Sequence, residues 1–298
     1  MIAAAPADAR ALRRAVWLML GATLCFAGLD ANAKHLAQTY PVPMLVWARY
    51  TFHCLLMLTL LGPSMGTRLV ATARPLAQML RAVMLVCVTG FAMAGFARMP
   101  LGESTAFLFI NPLLVAVLSA LVLRERVPRQ RWLAIVVGFL GALLIARPGG
   151  ALDAEGIVWL ALAALCYAIY QIQTRQLSPG ENVLTMLFYT ALVGTAVMSL
   201  ALPWFWFEFS PGPLQWLMIA SLGFYGGVGH FILIRAFRLA PASTLTPFGY
   251  TQLIWAGLLG WLVFGHIPDA MTAAGMAVIA VAGLWLALGE RRPAAARG

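Results

Sequence analysis

The chain has 298 residues, of which 62% are hydrophobic and 10% charged, against roughly half apolar and a quarter charged in soluble domains. That much apolar surface excludes a water-soluble globule and predicts a polytopic membrane protein. The net charge of +10 does not point to nucleic acid, because Lys and Arg stand in short clusters between apolar runs and form no single patch.

A membrane-crossing helix needs roughly 20 mainly apolar residues. Ten such runs follow one another, at 15–36, 43–61, 76–96, 103–123, 131–147, 157–176, 184–203, 213–236, 242–264 and 269–288. Arg10, Arg13 and Arg14, the apolar run after them and Ala31-Asn32-Ala33 have the layout of a cleavable signal peptide. However, Val16-Trp17-Leu18 repeats as Val158-Trp159-Leu160, and Cys25-Phe26-Ala27 as Cys166-Tyr167-Ala168. This makes the run the first span of a repeat. Cys25, Cys54, Cys87 and Cys166 lie inside apolar runs without CxxC spacing, so neither a metal site nor a disulfide is expected.

The repeat divides the chain into residues 1–149 and 150–298, with five spans in each half. Its most polar twins are Ala97–Pro128 and Ala236–Pro268, in which Ser104-Thr105 matches Ser243-Thr244 and Asn111 matches Tyr250. Five is odd, so the second half must enter the membrane from the opposite side, giving two inverted repeats. With both termini cytoplasmic, only Lys34, Arg49, Arg98 and Arg147 of the 20 Lys and Arg lie outside or in the outer half of a span. The other sixteen, Arg81 included, fall at cytoplasmic ends, as the positive-inside rule requires. The expected fold is therefore all-α, with ten transmembrane helices and a substrate cavity between inverted halves.

Arg235-Ala236-Phe237-Arg238-Leu239-Ala240-Pro241-Ala242-Ser243 before the ninth span and Leu123-Arg124-Glu125 after the fourth carry a family resemblance, joined by Gly138, Gly141, Gly275 and Gly283. In these segments the chain resembles the ten-helix EamA-type exporters of the drug/metabolite transporter superfamily. The resemblance implies a secondary exporter of small metabolites in the bacterial cytoplasmic membrane, working by alternating access without a cofactor. Among such exporters it is most similar to bacterial amino-acid and metabolite exporters, those for aromatic amino acids included. One departure is that the Gly-Glu usual after the ninth span reads Gly265-His266, leaving Glu125 as the acidic cap of the first half alone.

Polar groups within spans mark candidate site residues, because lipid satisfies no hydrogen bonds. Ser243, Thr246, Pro247 and Tyr250 share one stripe of the ninth span, and Ser104 and Asn111 the matching stripe of the fourth. Helix–helix packing also uses such residues, and both roles stay open. Pro112 and Pro247 each remove a backbone hydrogen bond and bend a span, for gating or as a fixed kink. Tyr167, Tyr170 and Gln171 form an aromatic and amide face on the sixth span, which suits a zwitterion with an apolar side chain. Phe91 and His230 are further candidates for contact with substrate. Asp30, Arg49 and His53 are ionisable groups inside spans and so candidates for coupling or gating; Asp30 is expected to pair with Arg49 or with Lys34 at i+4.

No GxxxxGK[ST], HExxH or GxSxG segment is present, so nucleotide hydrolysis and intramembrane proteolysis have no motif behind them. An enzyme built on Asp30, His53 or His230 lacks a paired carboxylate. A carrier of nucleotide-sugar or lipid-linked cargo would call for several intramembrane cations, and the sequence offers Arg49 alone. The expected partners are a small-molecule substrate and the bilayer, with no nucleic acid; monomer and homodimer both remain open.

Overall fold

The computed structural model describes residues 9–122, 129–146, 152–177, 180–204, 210–240, 245 and 248–289. Eleven α-helices and two short 3₁₀ turns make up these residues, with no β-strand among them. In order they are α1 (Ala9–Leu36), α2 (Val42–Met65), α3 (Pro75–Arg98), α4 (Leu101–Leu108), α5 (Asn111–Val122), α6 (Arg129–Ala146), α7 (Ala154–Leu177), α8 (Val183–Ala201), α9 (Pro213–Leu239), α10 (Thr251–Phe264) and α11 (Ala270–Gly289). Seven spans are long and apolar enough to cross a membrane, and three shorter apolar helices accompany them.

The helices start where local chemistry lets them. Pro75 and Pro213 open α3 and α9 from positions where no intrahelical N–H is needed. Asp153, Asn182 and Asp269 accept the N–H groups of Gly156, Leu184 and Thr272 at 2.6, 2.8 and 2.7 Å, capping α7, α8 and α11. At the end of α10, Gly265 takes φ +67°, and the N–H of His266 returns to Gly260 O at 3.2 Å. Only a residue tolerant of the left-handed region makes this turn cheaply.

The fourth span, expected to be continuous, is two helices. Pro112 cannot donate to the carbonyl one turn before it, and the chain tightens ahead of it: Phe109 N–H reaches both Thr105 O and Ala106 O, and Ile110 N–H bonds Phe107 O at 3.1 Å. A second break faces it in the other half, where Tyr250 is a turn residue and Leu253 N–H bonds Tyr250 O at 3.0 Å.

Packing pairs are almost all between halves, and they map onto themselves when the halves are exchanged. α1 against α9 matches α7 against α3; α2 against α9 matches α8 against α3; α1 against α10 matches α7 against α5. Of the remaining major pairs, α2 with α8 and α6 with α11 are their own counterparts, and α4 with α10 joins the fourth span to the ninth. Glycine permits the closest of these approaches. A Cβ on Gly141 would stand 3.0 Å from Gly275 O, and one on Gly275 would stand 2.8 Å from Gly141 O. Since lipid is as apolar as a leucine core, such close packing rather than the hydrophobic effect holds membrane helices together.

Candidate functional site

Three helices bring ionisable groups together. Asp30 on α1 and His230 on α9 are half-buried, and Arg49 on α2 acts electrostatically on both and lies 3.7 Å from the position a Cβ would take on Gly226 of α9. Tyr167 on α7 is exposed. Its Nη1 donates to Thr89 Oγ1 at 3.2 Å and its guanidinium lies 5.8 Å from the Tyr50 ring centre.

The expected partners of Asp30 are not the ones it has. Its Oδ2 accepts from Gln252 Nε2 at 3.1 Å. Lys34 turns away to donate to Phe96 O and Met99 O at 2.8 and 2.7 Å, capping the C-terminus of α3. The ion pairs within 4.0 Å among the described residues are Arg98 with Asp153 and Glu155, and His266 with Glu103. Asp30 and Arg49 thus face one space without neutralising each other.

Aromatic rings pair at three places. Tyr167 and Tyr170 stack with ring centres 5.8 Å apart, Phe91 stacks on Trp159 at 5.5 Å, and Phe26 meets His230 edge-on at 5.0 Å. Behind Tyr170 lies Arg81, only 1% exposed. It donates to Tyr170 Oη and Thr190 Oγ1 at 2.9 Å each, to Thr174 Oγ1 at 3.4 Å, and to Met186 O. This corrects the reading of Arg81 as a charge at a helix end, and with it the reading of Arg49 as the single intramembrane guanidinium. The signal was present in the spacing: six residues beyond Pro75 at 1.5 Å each carry Arg81 about 9 Å along the helix.

Asn111 is 3% exposed and fully engaged. Its amide donates to Ala164 O at 2.9 Å and its carbonyl oxygen accepts from Gln171 at 2.8 Å, which ties the restart of the broken span to α7. Gln252 does for α10 and α1 what Asn111 does for α5 and α7, since Asp30 and Gln171, like Asn111 and Gln252, stand 141 residues apart. The amide twin of Asn111 is therefore Gln252, two residues beyond the Tyr250 that sequence alignment pairs with it. Tyr250 packs on Phe109 at 5.0 Å and leans into the notch left by Gly283; its hydroxyl is buried without a partner.

The other expected residues are placed less centrally. Ser104 bonds back to Pro100 O at 2.8 Å and is fully buried. His230 bonds Gly226 O at 2.8 Å through Nδ1. His53 is buried under the α9 glycines: a Cβ on Gly223 would come within 2.5 Å of its backbone nitrogen. Ser243, Thr246 and Pro247 lie outside the described residues, as do the Pro112 side chain and Glu125.

One end of the bundle is sealed by groups from both halves. His266 Nε2 lies 2.6 Å from Glu103 Oε1, Lys34 Nζ sits 5.3 Å from the Phe264 ring centre, and Gly102 approaches Gly257 closely enough that its Cβ would be 3.7 Å from the Gly257 Cα. The Gly265 turn aims His266 at Glu103, so the departure at Gly265-His266 replaces an acidic cap with a base that meets an acid on the other half.

Residues 13–147 and 154–289 each match the model of the EamA-like transporter family. Relatives over nearly the whole length include an S-adenosylmethionine uptake transporter of Rickettsia prowazekii, 27% identical over 88% of both chains. A pseudopaline exporter of Pseudomonas aeruginosa is 30% identical over 91% of this chain and 95% of its own. A riboflavin transporter of Vibrio cholerae is 29% identical over 90% of each. A solved structure at 17% identity shares the fold, with a TM-score of 0.62 over 91% of this chain and 98% of the other. Two family matches that together span nearly all the described helices, arranged as interlocking halves, place this chain in the EamA-like transporter family.

Proposed function

We propose that the chain exports small zwitterionic metabolites, amino acids with apolar or aromatic side chains first among them, across the bacterial cytoplasmic membrane. Both termini would be cytoplasmic, and the halves 1–149 and 150–298 would rock about the cavity between them. The observation that carries this reading is the separation of Asp30 from Arg49: a carboxylate and a guanidinium share one space without pairing. An α-ammonium meets the first and an α-carboxylate the second, while Tyr167 and Phe26 offer ring faces to the side chain. Asn111 and Gln171, bonded to each other, brace the wall behind these groups.

Purified protein in liposomes tests this with labelled phenylalanine inside the vesicle, alongside its methyl ester and its N-acetyl derivative. Loss of the free acid should exceed that from empty vesicles, and each blocked form should compete at least about tenfold less well, the effect of about 1.4 kcal/mol of lost binding. Equal competition by all three would remove the zwitterion reading.

A second reading gains from Arg81. Two arginines, Arg49 and the buried Arg81, lie within apolar spans against one carboxylate, Asp30, a balance that also suits anionic cargo such as a nucleotide sugar. Such cargo would be unaffected by Asp30→Asn, whereas an amino acid would lose its ammonium partner.

A further inference from the structure

The junction of α1 with α9 has a counterpart at the junction of α7 with α3, because exchanging the halves carries one pair onto the other. The two are opposite in charge. At the α3–α7 junction, Arg98 is held by Glu155 at 2.8 Å and Asp153 at 3.6 Å, and Trp159 Nε1 donates to Glu155 at 3.1 Å. The beginnings of the matching helices differ in charge too, with Arg13 and Arg14 early in α1 and Glu155 at the start of α7.

The α1–α9 junction thus holds Arg14, Arg235 and Arg238, with no carboxylate within ion-pair distance among the described residues. Together with Trp17, Leu18 and Leu239 they form an open groove of about 560 Å³. Trp17 is 68% exposed and Leu239 40%, while Arg235 lies over the Phe231 ring at 5.0 Å and leaves its edges free. Below the groove Ala15, Met19, Ala236, Ala240 and Leu245 close the packing.

We infer that this groove is a binding site for the headgroup of an anionic phospholipid. The groove wall is almost wholly apolar, so the Trp17 and Leu239 surfaces accept the first carbons of the acyl chains, while the three exposed arginines that border it supply the forked donors that a phosphodiester accepts. A free anion would use the arginines and leave the apolar floor wet. A basic pocket between spans, next to an interfacial tryptophan, has both halves of a lipid's chemistry. The site would bind α1 to α9, one helix from each half, and so weight the balance between transport states by lipid composition.

Nanodiscs of phosphatidylcholine containing the full chain, doped with brominated phosphatidylglycerol or with brominated phosphatidylcholine at equal mole fraction, test the site through bromine quenching of Trp17. The Trp17 share of fluorescence is isolated by subtracting the Trp17→Phe variant. The expected result is that brominated phosphatidylglycerol quenches this share at about tenfold lower mole fraction, a preference of about 1.4 kcal/mol, and that Arg14→Gln with Arg235→Gln and Arg238→Gln abolishes the difference. Equal quenching by the two lipids overturns the inference. So does release of the brominated phosphatidylglycerol by millimolar inorganic phosphate, which would make this a soluble-anion site. Should the triple variant not fold, the wild-type comparison of the two lipids decides alone.

Discussion

Arg81→Met separates a residue kept for its charge from one kept as a bolt. The guanidinium makes four contacts, to Tyr170, Thr174, Thr190 and Met186. Hydrogen bonds between membrane helices average about 0.6 kcal/mol, so losing these contacts costs about 2.4 kcal/mol. Little else is orphaned, because Thr174 and Thr190 also bond Tyr170 O and Met186 O, at 2.7 and 2.9 Å. Against that, inserting an arginine costs up to about 2.5–3.5 kcal/mol, the helix-centre value, and Arg81 has no carboxylate within ion-pair distance among the described residues. The two effects offset to within about 1 kcal/mol, and methionine fills much of the same volume. Equilibrium unfolding in mixed micelles should therefore show a nearly unchanged midpoint, while transport in liposomes falls at least about tenfold as Tyr170 loses its orienting donor. A stability loss above about 3 kcal/mol would mean that the network outweighs the buried charge and that Arg81 is structural. Normal transport with normal stability would remove Arg81 from the site.

Two further outcomes can be checked on other parts of the molecule. Gly141→Ala and Gly275→Ala should each cost about 1–3 kcal/mol, since each new Cβ meets the opposite glycine's carbonyl at 3.0 or 2.8 Å; the double variant should cost less than the sum by about 0.5 kcal/mol or more, because one parting of α6 from α11 relieves both. Strict additivity in denaturant titrations would exclude that shared movement. His266→Ala should raise hydrogen exchange across the first turn of α4 by about tenfold, by leaving the 2%-exposed Glu103 carboxylate without its near partner. Glu103→Gln, which can still hydrogen-bond His266, should not. Unchanged exchange in His266→Ala would show that the Glu103–His266 contact does not hold this end closed.

Hydropathy alone located the spans, with helix ends falling within a few residues of the apolar runs, because span length is set by bilayer thickness and not by tertiary detail. It could not show the break in the fourth span, since Phe109 and Ile110 are as apolar as their neighbours and only the Pro112 backbone betrays the interruption. The half-to-half register was legible to within two residues and no better. Composition aligned Asn111 with Tyr250, whereas hydrogen bonding aligns it with Gln252, a shift that turns an amide–aromatic pair into an amide–amide one. Arg81 was misplaced because a charge near the start of an apolar run looks like a helix-end charge; what buries it are hydroxyl groups on α7 and α8, about 90 to 110 residues away. The i+4 spacing offers Lys34 as one of two partners for Asp30, but Lys34 Nζ is taken by the carbonyls of Phe96 and Met99 at the end of α3.

The same comparison of halves bears on how the transporter moves. If the two halves were chemically identical, exchanging their roles would give two states of equal energy, one closed at each end. The polar links at the centre obey that symmetry: Asp30 with Gln252 and Gln171 with Asn111 are one contact made twice. The ends do not. At one end Glu103 meets His266 and Arg98 meets Asp153 and Glu155, all between segments of opposite halves. At the other end, among the described residues, the α1–α9 junction brings together Arg14, Arg235 and Arg238 with no carboxylate within ion-pair distance. A difference of about 1–3 kcal/mol between ends suffices to set which state dominates, and these side chains are where the two halves differ in sign. Substrate at Asp30 and Arg49 would act on the symmetric centre, and the asymmetric ends would decide which way the emptied protein relaxes.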